Sequence, residues 1–197
     1  MLTNKDKDVL RLLMISFDKD YSINNIAKEC NLAPNGAFKI LKKLEKEGIL
    51  EGKNIANIKS YKLNFDNEKT QVVLELALIP ELKGKIKYRY DDFKELKEIT
   101  KSCIMFGSYI NPKKEAHDLD ILFILDNKNY KEYKRRLPVI KNIVPAKIHD
   151  IIQTEDDLIK NVTKKDKVIL EILRNGIVMW GQKIIIKVIK DVYQRKT

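Results

Sequence analysis

Phe106-Gly107-Ser108-Tyr109-Ile110-Asn111-Pro112-Lys113-Lys114-Glu115-Ala116-His117-Asp118-Leu119-Asp120-Ile121-Leu122-Phe123-Ile124-Leu125 is the stretch on which the fold turns. Cys103-Ile104-Met105-Phe106 is an apolar run of strand length. It ends at Gly107-Ser108, where a residue without Cβ permits a tight turn and a close backbone approach. Nine residues then separate Ser108 from Asp118. Asp118 and Asp120 are two apart at the head of the buried-strand pattern Ile121 to Leu125, so strand alternation sets both carboxylates on one face. Two carboxylates on one face repel unless a divalent cation neutralises them. Hard Mg²⁺ or Mn²⁺ prefers such oxygen ligands together with phosphate oxygens and water.

Asp150 is a third candidate. It sits in Lys147-Ile148-His149-Asp150-Ile151-Ile152, a strand-like run after Pro145, and is expected to converge with the pair at one sheet edge. Three carboxylates would suit two-metal phosphoryl chemistry. His117 and His149 each precede an aspartate, so alternation points them to the opposite face and both read as structural.

The Phe106 to Leu125 stretch resembles the DNA polymerase beta nucleotidyltransferase superfamily, especially its minimal bacterial and archaeal members, whose pattern is a Gly-Ser turn, a spacer and Asp-x-Asp. Gly176-Ile177-Val178-Met179-Trp180-Gly181-Gln182-Lys183-Ile184 resembles their C-terminal segment. The resemblance implies a mixed sheet flanked by helices. It implies that Gly107, Ser108 and the adjacent amides hold a nucleoside triphosphate, with ATP expected. Asp118, Asp120 and Asp150 would be the catalytic, metal-holding carboxylates, Asp150 helping to activate the acceptor hydroxyl. The reaction implied is nucleotidyl transfer with release of pyrophosphate to a protein or nucleic-acid acceptor. The sequence departs from the pattern in lacking a spacer glycine near Asn111-Pro112 and in having His117 where a serine is usual.

Upstream, residues 1–65 read as helix, helix, helix, hairpin. Val9, Leu10, Leu12, Leu13 and Phe17 form one apolar helical face. Ser22 is a plausible N-cap for a short helix bearing Ile23, Ile26, Ala27 and Cys30, and Asn31 to Pro34 makes a turn. From Asn35, the residues Ala37, Ile40, Leu41 and Leu44 bury one side of a helix while Lys39, Lys42, Lys43 and Lys46 project from the rest; Gly48 closes it. An extended segment from Ile49, a polar tip over Gly52 to Ser60 and a returning strand Tyr61 to Phe65 complete the pattern.

Tyr21 to Leu50 resembles the helix-turn-helix of winged-helix regulators. That implies double-stranded DNA as a partner, with the Asn35 helix in the major groove. Independently of the name, a short turn between two helices presents the second with lysines toward phosphate oxygens. With no arginine, the helix favours backbone contact, Lys39 and Lys43 first, and Asn35 is the best base-reading candidate. Winged helices also serve as protein-interaction modules, and that alternative stays open.

Residues 66–100 read as a helical connector, with the apolar run Val72 to Ile79 broken at Pro80 and a second helix over Tyr88 to Thr100. The first run is expected to pack between modules or in a homodimer. Residues 101–197 form the nucleotidyltransferase module, giving an α+β chain overall. Within it, Asn129 to Arg136 sets Lys131, Lys134, Arg135 and Arg136 on a helix with Tyr130 and Tyr133, which reads either as a track for an acceptor strand or as a solvated helix face. Trp180 reads as packing.

Composition bounds these readings. A chain of 197 residues has room for two small domains. No apolar stretch is long enough to cross a bilayer, and the charged start MLTNKDKDVL is unlike a secretory signal, so a cytoplasmic protein is expected. Cys30 and Cys103 are isolated among apolar residues and read as buried thiols. The formal charge of +11 favours a polyanionic partner, although lysine can merely solvate a surface. Residues 1–65 hold 12 basic and 8 acidic side chains and residues 101–197 hold 20 and 12, whereas 66–100 hold 7 and 8, so the charge sits on two modules.

The expected function is a DNA-binding protein with a metal-dependent nucleotidyltransferase domain. The alternatives are a transcriptional regulator whose second domain is a nucleotide sensor, and an antitoxin-type nucleotidyltransferase that modifies a partner protein.

Overall fold

Thr3 starts the first helix with a reciprocal cap. Its hydroxyl accepts from the Asp6 amide at 3.2 Å, and its own amide donates to the Asp6 carboxylate at 2.7 Å, satisfying two donors that a helix start leaves open. The computed structural model describes residues 2–16, 19, 21–55, 58–111 and 118–195, without the side chains of Ile55 and Ile58. Phe17, Pro112 and His117 lie outside the described residues. The chain divides into two units, Met1–Leu78 with Tyr193–Thr197, and Ile79–Val192.

The first unit runs α1 (Asn4–Met14), β1 (Tyr21–Ser22), α2 (Ile23–Glu29), α3 (Pro34–Lys46), β2 (Leu50–Ile55), β3 (Ile58–Leu63) and α4 (Glu68–Leu78). The strands form an antiparallel sheet in the order β1-β3-β2. Ser22 caps α2, accepting from the Asn25 amide at 3.2 Å. Pro34 occupies the first turn of α3, where its missing N–H costs nothing. Leu10, Leu13, Ile26, Leu41 and Leu44 are fully buried, each contributing about 1.5–3 kcal/mol of transfer free energy. Both arms of the hairpin reach into the stretch expected to be a tip: Lys53 pairs with Ser60 and Asn54 with Lys59. Glu51 to Asn54 are exposed on both faces of β2, while the polar Ser60 is buried between its two strand neighbours, so polarity did not mark where the strands end.

The apolar run expected in the connector is α4, which belongs to this first unit. Thr70, Leu74, Ala77 and Leu78 are buried in it, whereas Val72 and Leu76 are exposed. The second half of the expected connector, α5 (Gly84–Phe93) and a 3-10 turn over Lys94–Glu98, belongs to the second unit. At the far end of the chain Tyr193 donates to the Leu13 carbonyl at 2.6 Å and meets the Phe65 ring edge-on at 5.0 Å.

After α5, the second unit runs β4 (Ser102–Phe106), β5 (Asp118–Ile124), α6 (Tyr130–Ile143), β6 (Lys147–Gln153), α7 (Glu155–Thr163), α8 (Lys167–Asn175), β7 (Ile177–Trp180) and α9 (Gln182–Gln194). Its sheet is ordered β6-β5-β4-β7 and is mixed: β4 is antiparallel to β5 and β7, whereas β5 and β6 are parallel. The parallel pair needs a crossover, which α6 supplies. Met105, Ile121 and Phe123 pack with Tyr133 and Leu137 of α6 in one buried cluster.

Trp180 is packing, as expected. Its indole donates to the Thr100 hydroxyl at 3.1 Å, and Tyr90 meets its ring edge-on at 6.1 Å. Gly181 follows at φ +80, where an added Cβ would strike the Lys101 carbonyl, so backbone crowding accounts for this glycine in the C-terminal motif. Cys30 and Cys103 are buried thiols that form no disulfide, and burial pushes the Cys103 thiol well up. Among the described residues no helix is long and apolar enough to cross a membrane.

Candidate functional site

The antiparallel register of β4 and β5 pairs Phe106 with Asp120, so the chain leaves β4 directly beside that carboxylate. Gly107 takes φ +77 and ψ −156, a region that L-residues rarely enter. A Cβ on Gly107 would run into the Asp120 Oδ2, so the backbone lies against the carboxylate and no larger residue fits without displacement. Ser108–Ile110 then forms a single 3-10 turn, closed by the Asn111 amide donating to the Ser108 carbonyl at 3.0 Å.

Alternation along β5 buries Leu119 and Ile121 completely, while Asp118 is exposed and Asp120 half-buried. The two aspartates therefore share one face, and the turn at Gly107 folds over the second. The parallel register of β5 and β6 pairs Asp118 with Lys147, Asp120 with His149 and Ile121 with Asp150. Partners across a sheet project to the same side, so His149 joins the face of Asp118 and Asp120. Its Nδ1 lies 3.4 Å from the Asp120 Oδ1.

Two sequence expectations are corrected by this register. Asp150 does not converge with the pair. It lies on the opposite face, where its carboxylate accepts from the Tyr133 hydroxyl at 3.0 Å and the Lys141 ammonium at 2.7 Å, both from α6. Burial pushes the Asp150 carboxyl up, but the bonds from Lys141 and Tyr133 outweigh it and hold the group below the usual carboxylate range. His149 does face away from Asp150, yet for that reason it faces Asp120. The histidine next to the expected ligand is the side chain that the sheet brings to the site.

Among the described residues no three His, Cys, Asp or Glu side chains gather into a metal-holding group. What remains is two oxygen donors on one strand face with a backbone turn packed on the second. That donor set suits Mg²⁺ arriving with a nucleotide, because Mg²⁺ keeps several waters and is commonly held by one or two carboxylates plus substrate phosphates.

Beside the turn lies a cavity of about 610 Å³, within the range of small-molecule sites. Gly107, Ser108, Ile110 and Asn111 form one wall, and Val168, Glu171, Ile172 and Asn175 of α8 form the other. The α8 residues fall at helical spacing on one side of the helix. Nothing in the motif pointed to them, since the signal is the spatial approach of α8 to a turn sixty residues earlier.

In the first unit, Asn35, Lys39, Lys42 and Lys46 are exposed at spacings that share one face of α3. Lys43 differs. Its ammonium sits 2.6 Å from the buried Asp6 carboxylate, closing the α1 cap onto α3. Lys42 lies 3.1 Å from Glu45, which also takes Lys59 at 2.6 Å. Along α6, Arg135 and Arg136 both bind Glu132 at 2.6 Å, and Lys134 lies over the Tyr130 ring at 5.5 Å, so these cations are engaged within their own helix.

Compared with known proteins, residues 86–178 match the family model described as nucleotidyltransferase domain. No curated protein and no solved structure matched the chain. The matched span contains the Gly107–Ser108 turn, the Asp118 and Asp120 strand and both walls of the cavity, and it is a nucleotidyltransferase domain of the polymerase beta type.

Proposed function

We propose that the chain transfers a nucleoside monophosphate from a nucleoside triphosphate to a hydroxyl acceptor, using Asp118, Asp120 and the Gly107–Ser108 turn. The observation that carries this reading is the close packing of the Gly107 backbone on Asp120, the second of two carboxylates on one strand face. In the reaction, the acceptor hydroxyl oxygen attacks the α-phosphorus, the bond from that phosphorus to the bridging oxygen breaks, pyrophosphate leaves with the electron pair, and the hydroxyl proton passes to solvent. In-line transfer of this kind needs positioning and charge neutralisation more than a covalent nucleophile. Asp118 and Asp120 would hold Mg²⁺ or Mn²⁺, which supplies neutralisation of the triphosphate. Ser108 and the amides of its turn would bind phosphate oxygens and orient them over Asp120. The test is transfer of α-labelled nucleotides, supplied one at a time with Mg²⁺, to protein or nucleic-acid acceptors. Pyrophosphate release that depends on Asp118 and Asp120 supports the reading, and its absence with every nucleotide overturns it.

A second reading is favoured by one observation, the absence of Asp150 from the site. With His149 and Lys147 in the positions opposite Asp120 and Asp118, the domain would bind nucleotide without transferring it and act as a sensor. Binding of a nucleotide with no turnover on any acceptor separates the two.

For the first unit, the helices, the three-stranded sheet and the exposed face of α3 support a winged-helix module that binds double-stranded DNA. Lys39, Lys42 and Lys46 would contact phosphates, with Asn35 at the base edges. Lys43 is better assigned to structure, given its pairing with Asp6. DNA affinity that is absent, or indifferent to salt, would remove this part of the reading.

A further inference from the structure

The cavity between the Gly107–Ser108 turn and α8 has a composition that phosphate binding does not explain. Ser108 and its turn amides stand at one wall, and the opposite wall carries a carboxylate, Glu171, and an amide, Asn175. A carboxylate facing a triphosphate site is electrostatically adverse unless it meets a donor on the ligand. Glu171 and Asn175 are both exposed on this wall, so their polar ends can reach a ligand in the cavity. Around these polar groups the walls are apolar: Ile110 on the turn side, Ile172 buried, and Val168 left 56 % exposed at the mouth. Apolar walls with two polar groups on one side suit a flat heteroaromatic ring, whose faces want apolar contact and whose edge wants hydrogen bonds.

We infer that this cavity takes the base of the nucleotide, and that Glu171 selects guanine. The inference rests on the nucleotide-transfer reading above and names its substrate. An ionised carboxylate offers two acceptor oxygens and no donor. Guanine presents two adjacent N–H donors on its pairing edge, at N1 and N2, and next to them an O6 acceptor that the Asn175 amide can serve. Adenine and cytosine present a single amino donor beside a ring nitrogen lone pair, which would face the second carboxylate oxygen. Uracil presents a single N–H flanked by two carbonyls. Only guanine therefore satisfies both oxygens of Glu171 without setting a lone pair against the charge.

The test is equilibrium binding of fluorescent GTP and ATP analogues labelled on the ribose, with Mg²⁺, to the full chain. Wild-type protein binds the GTP analogue about tenfold more tightly, the discrimination expected of one good bidentate contact. Glu171→Gln replaces one acceptor by a donor at an exposed helix position, and it collapses the ratio to one or below by weakening GTP and relieving the lone-pair clash with ATP. Val168→Trp fills the mouth of the cavity and weakens both nucleotides. Equal or tighter ATP binding by the wild type overturns the inference, as does a ratio that survives Glu171→Gln. So does a cavity that Val168→Trp fills without effect, in which case the base lies elsewhere and the transfer reading stands. Failure of the wild type to bind either nucleotide overturns the transfer reading itself, and the base assignment with it.

Discussion

β5 and β6 lie side by side and parallel, each carries aspartate in its sequence, and yet they contribute in opposite directions. On β5, Asp118 and Asp120 look out from the face on which the Gly107 turn sits. On β6, Asp150 looks into the other face, fixed by Tyr133 and Lys141, and His149 takes the place beside Asp120. Alternation settles faces only along a single strand. Within one strand, two residues of equal parity share a face whatever the rest of the chain does. Between strands, the shared face depends on register, and a slip of one residue exchanges an aspartate for a histidine.

The hardest test of that comparison is removal of charge from each strand in turn. Asp120→Asn takes the carboxylate from under Gly107 and is expected to lower nucleotidyl transfer by about a thousandfold, on the scale of losing an electrostatic contact at a phosphoryl site. Asp150→Asn, one strand away, is expected to leave transfer within roughly threefold. Both rates come from the same labelled-nucleotide assay, normalised to folded protein by circular dichroism. A loss with Asp150→Asn as large as that with Asp120→Asn, in protein that is folded at the assay temperature, would restore Asp150 to the site.

Gly107→Ala probes the turn rather than the strand. The φ of +77 and the Asp120 oxygen in the way of any Cβ impose backbone strain of order 1–3 kcal/mol. The turn then relieves itself by moving off Asp120. Transfer is expected to fall by at least tenfold together with nucleotide affinity, measured by fluorescence titration. A variant with full affinity would show that the turn and the carboxylate work independently.

These expectations also show which parts of the molecule were readable beforehand. Helices α1 and α3 were legible because apolar residues recur at 3.6-residue spacing. The strand after Asp118 was legible because it is a run of buried apolar residues. Gly107 was legible because a glycine between a strand and an Asp-x-Asp motif has few other uses. The face of Asp150 was not, since register depends on where α6 ends and β6 begins to pair. The α8 wall of the cavity was hidden for the same reason, as contacts between distant segments leave no periodic trace. Strand β1 was missed because two residues are too few to alternate, and its pairing of Tyr21 with Tyr61 is set by the third dimension alone. The hairpin was misjudged at Lys53 and Asn54, where a strand exposed on both faces looks like a loop in one dimension.

If Asp150 is an anchor for α6, its removal should show in stability. Asp150→Asn keeps the shape but gives up charge-assisted bonds from Lys141, itself partly exposed, and Tyr133, for an expected loss of about 1–2 kcal/mol at neutral pH by thermal or urea unfolding. The sign with pH follows from the depressed carboxyl pKa. The folded state holds Asp150 ionised more strongly than the unfolded chain does, so its contribution is complete above the unfolded value near 3.9 and disappears as pH falls through the lower folded value. The gap between wild type and Asp150→Asn should therefore be widest at neutral pH and narrow as pH falls below about 4. A gap that widens in acid would contradict the anchoring role.

The first unit poses the same question of neighbours in a milder form, because Lys39 and Lys43 are one helical turn apart on α3 and yet meet different partners. Lys39 is exposed, whereas Lys43 is held by the buried Asp6. Lys39→Ala should weaken binding to duplex DNA across sequences and lower the slope of log affinity against log salt by about one, while leaving unfolding unchanged. Lys43→Ala should do the reverse, destabilising the unit by about 1 kcal/mol as Asp6 loses its cation, with little change in the salt slope. Fluorescence anisotropy over a salt series and a thermal melt on the same two variants read both quantities. Equal salt slopes for the two variants would mean that the pairing with Asp6 gives way when DNA is bound, and that both lysines serve the phosphate backbone.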